Sequence, residues 1–449
     1  MKTKSFSLNL DYKIKPYKKT IKVDSDKSLS IRSFLIGAIS QNISLVNNVL
    51  ESEDVFSAIN CLKKLGVKIK KKNKGSYFIF GKGLGSLFGK KNLKLDFGNS
   101  GTLARLLIGI LSTTPGLEIR VQGDQSLNKR SMKKLIILMS EFGAEFFPKN
   151  RFNFPLKIIS TEMPVGINYK AGVSAQLKSA VILAGLNSFG TTTIIEDKKS
   201  RDHTENILKD NPHVIRITKK RKNIIKILGK KFLNPFKINV PSDPSSAAFF
   251  TALTLLNKNS SLRIKNVCLN PTRIGFYELL KQHGANIKFK NKRKKNNEII
   301  GDIYIKSGKL KKPINSSKYY YEKTTDEFPI LFCIAALTKG TSIFRGIGDL
   351  ANKESNRITE MQKVLNQIGI KSLSNENEIK IFGLNSINNS GKVIKISNLG
   401  DHRICMSSVV LSLITGVKAK ISNFETVNTS SPSFLKIIKS LGGKFEIKR

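Results

Sequence analysis

The octapeptide 98–105, GNSGTLAR, sets two glycines and two hydroxyls directly before the apolar run LARLLIGIL. A turn of this kind at a helix start presents backbone N–H groups beside the positive end of the helix dipole, and glycine lets an anion approach them closely. A nucleotide-binding phosphate loop needs Lys after its second glycine, and Thr102 stands there instead. Alone, the stretch is also readable as a capped turn. Its meaning depends on seven further polar stretches: DSDKSLSIR (24–32), GDQSLNKRSM (123–132), GVSAQLKSA (172–180), SRDHTENIL (200–208), TTDEFPI (324–330), NKESNRI (352–358) and GDHRICM (400–406). Nearly all lead into an apolar helical run. Lys27, Arg32, Arg130, Arg201, Lys353, Arg357 and Arg403 add fixed positive charge, with Ser28, Ser174 and Gln176 as neutral donors. Guanidinium forks suit carboxylate and phosphate oxygens, so the joint pattern describes a cleft for several anionic groups. Singly, each element has a plainer reading: Lys27 and Arg32 as a solvated helix face, Asp326 and Glu354 as caps or ion-pair partners, Arg403 as tied to Asp401.

Other chemistries fit poorly. The histidines at 203, 213, 283 and 402 never fall at a metal spacing, so no metal is expected. Ser174 lacks the flanking glycines of a nucleophile elbow. The cysteines at 61, 268, 333 and 405 are too scattered for a Cys-x-x-Cys site, and Cys333 and Cys405 sit in apolar runs that read as core.

The chain has 449 residues, 40% of them hydrophobic, enough for about two or three domains. Its formal charge of +46 invites a nucleic-acid reading, but the lysines are spread along the whole chain in edges such as KIKKKNKGS and KFKNKRKKNNE. An even distribution reads as compositional bias, and no aromatic-rich basic motif accompanies it. No apolar run approaches membrane-span length, and MKTKSFSLNLDYKIKPYKK lacks the apolar core of a signal peptide. A soluble cytoplasmic protein with reduced thiols is expected.

The elements that must position these residues repeat. An amphipathic helix ending in glycine and running into a strand recurs as INCLKKLGVKIKKK, LIILMSEFGAEFF, ELLKQHGANIKF, MQKVLNQIGIKSL and LKIIKSLGGKFEI, with a sixth copy, NILKDNPHVIRI, at the place that a period of roughly 70–85 residues demands. A second echo, NISLVN, PGLEIRV, GTTTIIE, NSSLRIKN, GTSIFRG and GVKAKISN, supplies a turn and a short alternating strand after each apolar helix. Six such units predict a symmetric α/β protein with three units per lobe and buried helices.

In number, order and wording these stretches resemble the 5-enolpyruvylshikimate-3-phosphate synthase family, from DKSLSIR to SPSFLKII and including VPSDPSSAAFF and NPTRIGFYELL. The resemblance implies an α/β, two-lobed enolpyruvyl transferase fold, an inside-out α/β barrel of six βαβαββ repeats. One lobe would hold 1–25 and 241–449, the other 26–240, with a double hinge near 22–27 and 238–243. It implies transfer of the enolpyruvyl group of phosphoenolpyruvate to the 5-hydroxyl of shikimate 3-phosphate, with release of phosphate and without metal or cofactor, on the route to chorismate and aromatic amino acids. By the same resemblance, phosphoenolpyruvate would meet Lys27, Gly101, Arg130, Gln176, Arg357 and Arg403. Shikimate 3-phosphate would meet Lys27, Ser28, Arg32, Ser174, Ala175, Gln176, Arg201, Asp326 and Lys353. Asp326 would serve as base for the 5-hydroxyl and Glu354 as acid for the methylene carbon, with Lys27 and Lys353 supporting proton transfer. The protein would act as a monomer with no nucleic-acid or membrane partner.

The chain departs from the family at Ser25, Ile31, Ser131, Ala351, Asn356, Leu106 and Thr429. Asn356 replaces an Asp expected to orient Arg357, and Thr429 replaces a Lys that contacts phosphoenolpyruvate in some members. Gly101 stands where glyphosate-tolerant members carry Ala. Two rivals are another enolpyruvyl transferase, of the kind that carries a catalytic Cys on a polar loop, and an RNA-binding or RNA-modifying protein built on the same repeat. No cysteine here occupies such a loop.

Overall fold

The computed structural model describes residues 4–90, 92–219, 221–388 and 390–448. The chain divides into two compact units. A discontinuous unit comprises Met1–Asp24, Pro241–Lys295 and Ile299–Arg449; an inserted unit comprises Ser25–Val240 with Asn296–Glu298.

The helices of the inserted unit are α1 (Lys27–Ile39), α2 (Glu53–Lys64), α3 (Gly101–Ser112), α4 (Gln125–Lys129), α5 (Lys133–Glu141), α6 (Ala175–Leu186) and α7 (His203–Leu208). Those of the discontinuous unit are α8 (Pro244–Leu256), α9 (Gly275–Gln282), α10 (Tyr321–Thr324), α11 (Phe328–Ala336), α12 (Arg357–Gln367), α13 (His402–Thr415) and α14 (Phe434–Ser440). In each unit three helices are buried on every face: α1, α3 and α6 in one, α8, α11 and α13 in the other. Their sequences are apolar almost all round, which is what an interior helix requires. Between them, α2, α5, α7, α9, α12 and α14 form the second helix of each repeat. Gly66, Gly143, Gly284, Gly369 and Gly442 stand just beyond five of these with φ between +78° and +102°, the left-handed conformation that stops a helix and turns the chain into the next strand.

Six four-stranded sheets are present among the described residues, all with one pattern. Leu93–Asp96 runs parallel to Glu118–Gln122 with Leu93 opposite Ile119; Leu156–Ile159 is antiparallel to the latter, and Glu145–Phe147 closes the edge. In every sheet the strand from the second echo is interior and the strand following the second helix of the repeat is an edge. These are the βαβαββ repeats, with helices inside and sheets outside. The sheets remain separate, so no closed barrel of strands forms among the described residues.

Two leading strands depart from sequence order. Lys18–Ile21, which precedes α1 in the chain, pairs with Ser261–Cys268 in the discontinuous unit. Lys237–Asn239, which precedes α8, pairs with Ile43–Asn47 in the inserted unit. Each unit thereby completes its first repeat with the last strand before a chain crossing. No helix among the described residues is long and apolar enough to cross a membrane.

Candidate active site

In each repeat the leading and second-echo strands are parallel, so their C-terminal ends and the N-terminus of the buried helix lie at one end of the sheet, where α/β proteins bind ligands. Five of the six buried helices are capped there by a side chain: Asp26, Ser100, Ser174, Asp243 and Asp401 each accept a backbone N–H of the first turn.

In the inserted unit the stretches GNSGTLAR and GVSAQLKSA meet. The Gln176 amide donates to Thr102 Oγ1 at 3.0 Å, and its oxygen accepts from Arg105 Nη1 at 3.0 Å. The same Nη1 donates to the Gly101 carbonyl at 3.1 Å. Arg130 reaches the same turn, donating to Asn99 Oδ1 at 2.7 Å. A methyl added at Gly101 would stand 2.8 Å from Arg105 Nη1 and 3.2 Å from Arg130 Nη1, so glycine here admits two guanidinium groups. Lys27, in the first turn of α1, is paired with Asp54 at 2.9 Å. Arg32 is buried, donating to Thr204 Oγ1 at 2.9 Å, Ser179 Oγ at 3.2 Å and the Ser28 carbonyl at 3.2 Å. Ser174 caps α6, Ala175 begins it, and Arg201 precedes α7.

In the discontinuous unit, buried Arg357 is the centre. Its Nε lies 2.9 Å from Asp401 Oδ2, its Nη2 2.6 Å from Glu354 Oε2, and its Nη1 3.7 Å from Asp326. Burial disfavours the charged guanidinium, but Asp401, then Glu354 and Asp326, outweigh it and raise the pKa well above its ordinary value. Lys353 is held by Asp349 at 2.5 Å. The Arg403 side chain makes no ion pair among the described residues, and its guanidinium lies over the Phe249 ring at 5.9 Å. It is only 6% exposed, and its Nε and Nη1 have no hydrogen-bond partner among the described residues.

The structure revises three readings. Arg403 is not tied to Asp401 by its side chain: Asp401 accepts only its backbone N–H, at 2.9 Å, and spends its charge on Arg357. Asn356 is the N-cap of α12, accepting from the Thr359 N–H at 3.3 Å, and Asp401 orients Arg357 in the role expected of residue 356. Arg32 is no solvated face. Asp54, Arg105, Asp349 and Asp401 join the residues that the sequence patterns single out. Arg105 carries a local signal, lying one turn after Gly101, and so does Asp349, one turn before Lys353; Asp54 and Asp401 reach Lys27 and Arg357 from 27 and 44 positions away. All four cysteines are buried, and desolvation pushes the Cys61 thiol up to about 12 and those of Cys333 and Cys405 higher still, which disfavours a thiolate nucleophile.

Each unit thus ends in buried helix N-termini ringed by arginines, an arrangement for phosphate and carboxylate oxygens. A family model described as EPSP synthase (3-phosphoshikimate 1-carboxyvinyltransferase) matches residues 12–438. Relatives named 3-phosphoshikimate 1-carboxyvinyltransferase include that of Paramagnetospirillum magneticum, 35% identical over 94% of this chain and 94% of the relative. That of Zymomonas mobilis is 37% identical over 97% and 96%. The solved EPSP synthase of Acinetobacter baumannii superposes with a TM-score of 0.84 at 34% identity, covering 99% of this chain and 100% of that one. The enolpyruvyl transferase NikO of Streptomyces tendae shares the fold, with a TM-score of 0.74 at 11% identity over 99% of both chains. With the repeat architecture, the arginine-ringed helix ends and these likenesses in agreement, the chain belongs to the EPSP synthase (3-phosphoshikimate 1-carboxyvinyltransferase) family.

Proposed function

We propose that the protein transfers the enolpyruvyl group of phosphoenolpyruvate to the 5-hydroxyl of shikimate 3-phosphate, releasing phosphate. The observation that carries the site assignment is Arg403, a nearly buried guanidinium at the start of a buried helix with two donors unpaired among the described residues. Leaving charged donors unpaired is costly, and an anionic substrate removes that cost. Gly101, Arg130, Gln176, Lys27 and Arg357 join Arg403 in holding phosphoenolpyruvate. Lys27, Ser28, Arg32, Ser174, Ala175, Gln176, Arg201, Asp326 and Lys353 hold shikimate 3-phosphate.

Asp326 takes the proton of the 5-hydroxyl as its oxygen bonds to the phosphate-bearing carbon. Glu354 delivers a proton to the methylene carbon, and phosphate leaves as that carbon gives a proton back. The attachment of both carboxylates to one fixed guanidinium supports this assignment, since their spacing is set before substrate arrives. Lys27 and Lys353, each held by a carboxylate, assist proton movement. The chain crossings near 22–27 and 238–243 serve as a double hinge, and the enzyme works as a cytoplasmic monomer on small molecules, without metal or nucleic acid. Phosphate release that requires both substrates, with one product formed per phosphate, tests the reading. Release from phosphoenolpyruvate alone, or none with both present, overturns it.

A further inference from the structure

Lys178, the fourth of the twelve residues of α6, is fully buried, and among the described residues its ammonium meets only carboxylates that the proposed reaction does not use. Its ammonium lies 2.9 Å from Glu196 Oε1 and 2.6 Å from Glu205 Oε1, both carboxylates being equally shut from water. Burial alone would favour the neutral amine, but the carboxylates of Glu205 and Glu196 outweigh it and hold the lysine charged. Three buried ionisable groups are an expensive way to fill a core, and an apolar trio of similar volume serves stability at least as well.

The chain neighbours of the trio show what it does. Ser179 follows Lys178, and Thr204 precedes Glu205. The Thr204 hydroxyl donates to Ser179 Oγ at 2.8 Å, and the two oxygens accept Arg32 Nε and Nη2. Drawing Lys178 and Glu205 together therefore sets the separation of the two hydroxyls that cradle the Arg32 guanidinium. Glu196 acts similarly on the other side. Its Oε1 accepts the Ser200 backbone N–H at 3.1 Å and the Ser200 hydroxyl at 2.7 Å, and Ser200 is bonded directly to Arg201. Its Oε2 accepts the Asn223 amide at 2.7 Å, which fixes the carboxylate plane.

We infer that Lys178 is a positioning residue for the shikimate 3-phosphate half of the site: one buried ammonium, through Glu205 and Glu196, sets the places of Arg32 and Arg201 together. This rests on the reading that those two arginines bind shikimate 3-phosphate. Displacing a guanidinium fork from its ligand oxygens weakens both of its hydrogen bonds at once.

Lys178→Met, close in length and uncharged, should raise KM for shikimate 3-phosphate about tenfold while KM for phosphoenolpyruvate and kcat change less than about threefold. Combined with Arg32→Lys, its effect should be clearly less than multiplicative, because both changes act on one contact. Glu205→Gln keeps the Lys178–Glu196 pair and serves if Lys178→Met does not fold; it should show the same selective rise at smaller size. A readout independent of activity is the Arg32 Nε–Hε NMR signal, identified by its loss in Arg32→Lys. It should move or broaden in Lys178→Met and Glu205→Gln. If the wild type releases no phosphate, the functional reading fails while this signal still decides the positioning. An unmoved Arg32 signal, or an effect that multiplies with Arg32→Lys, overturns the inference.

Discussion

Arg357 and Asp401 form a two-point ion pair inside the discontinuous unit, Nε 2.9 Å from Oδ2 and Nη2 3.4 Å from Oδ1, with both side chains sealed from water. Asp401 also caps α13 through the Arg403 N–H. One carboxylate thus orients one arginine and fixes the backbone of another. Asp401→Asn keeps an oxygen for the cap but removes the counter-charge. It should cost about 3 kcal/mol of stability in urea unfolding and lower kcat/KM for phosphoenolpyruvate at least about tenfold. Full activity in this variant would show that Glu354 and Asp326 suffice to hold Arg357.

Arg403 should show opposite effects on stability and binding. Arg403→Met preserves the contact with Phe249 and removes two buried donors that lack partners among the described residues. Ligand-free, the variant should be more stable by about 1 kcal/mol. Its KM for phosphoenolpyruvate should rise about 10- to 150-fold, the loss of a charged hydrogen bond. A rise confined to shikimate 3-phosphate would place Arg403 in the other subsite.

Asn356 tests whether a departure from the family pattern matters. As the N-cap of α12 it is as good as aspartate. Asn356→Asp should leave kcat/KM within about twofold and stability within about 0.5 kcal/mol, whereas Asn356→Ala should cost about 1 kcal/mol. A large gain in turnover from Asn356→Asp would restore the role of residue 356 in orienting Arg357.

Much of the architecture is legible because it is written locally. The runs LLIGIL and FPILFCIAAL are apolar on every side, which marks α3 and α11 as interior helices, and Ser100 before α3 names its start. Gly66 and Gly143 mark helix ends for the same local reason. The leading strands are not legible: Asn315–Ser316 and Lys237–Asn239 are too short for a periodic pattern, and the second pairs with residues almost two hundred positions away. The site divides along the same line. Asp26 and Ser100 are readable as caps from their neighbours, but nothing near Lys27 announces Asp54, and nothing near Lys178 announces that Glu196 and Glu205 flank it. Such partners are chosen by the packing of separate repeats, which a single sequence does not display.

Asp24 should make the stability of the fold depend on pH. Its carboxylate accepts the Ser431 hydroxyl at 2.9 Å and the Ser433 N–H at 3.0 Å, yet burial, helped by nearby Asp243, raises its pKa above the ordinary carboxylate value. A carboxyl whose pKa is higher folded than unfolded binds protons more tightly in the folded state, so its contribution to stability grows as pH falls and is lost as pH rises through the folded pKa. Asp24→Asn retains an acceptor and removes the buried charge. It should be more stable than the wild type at pH 7, and the difference should shrink as pH falls through the raised pKa. A difference constant between pH 7 and pH 4 would show that Asp24 is not titrating in that window.

Gly101 should control discrimination between phosphoenolpyruvate and glyphosate, which carries a phosphonate and a carboxylate and so presents a similar pair of anions to the same donors. Wild-type enzyme should be inhibited competitively against phosphoenolpyruvate. In Gly101→Ala the new methyl meets the ends of two flexible side chains, Arg105 and Arg130, rather than backbone, and Gly101 has no left-handed backbone that an alanine would strain. The fold should therefore survive with an unchanged unfolding midpoint. Both guanidinium tips must shift by a few tenths of an ångström, so KM for phosphoenolpyruvate should rise several-fold, by about the weakening of one charged hydrogen bond. Glyphosate is the longer molecule and fills more of the space that the methyl takes, so its inhibition constant should rise by a larger factor than that KM. Steady-state kinetics of the two proteins over a range of both compounds measures the two factors. If they are equal, the methyl acts only through Arg130 on a shared anion contact, and crowding of the inhibitor plays no part.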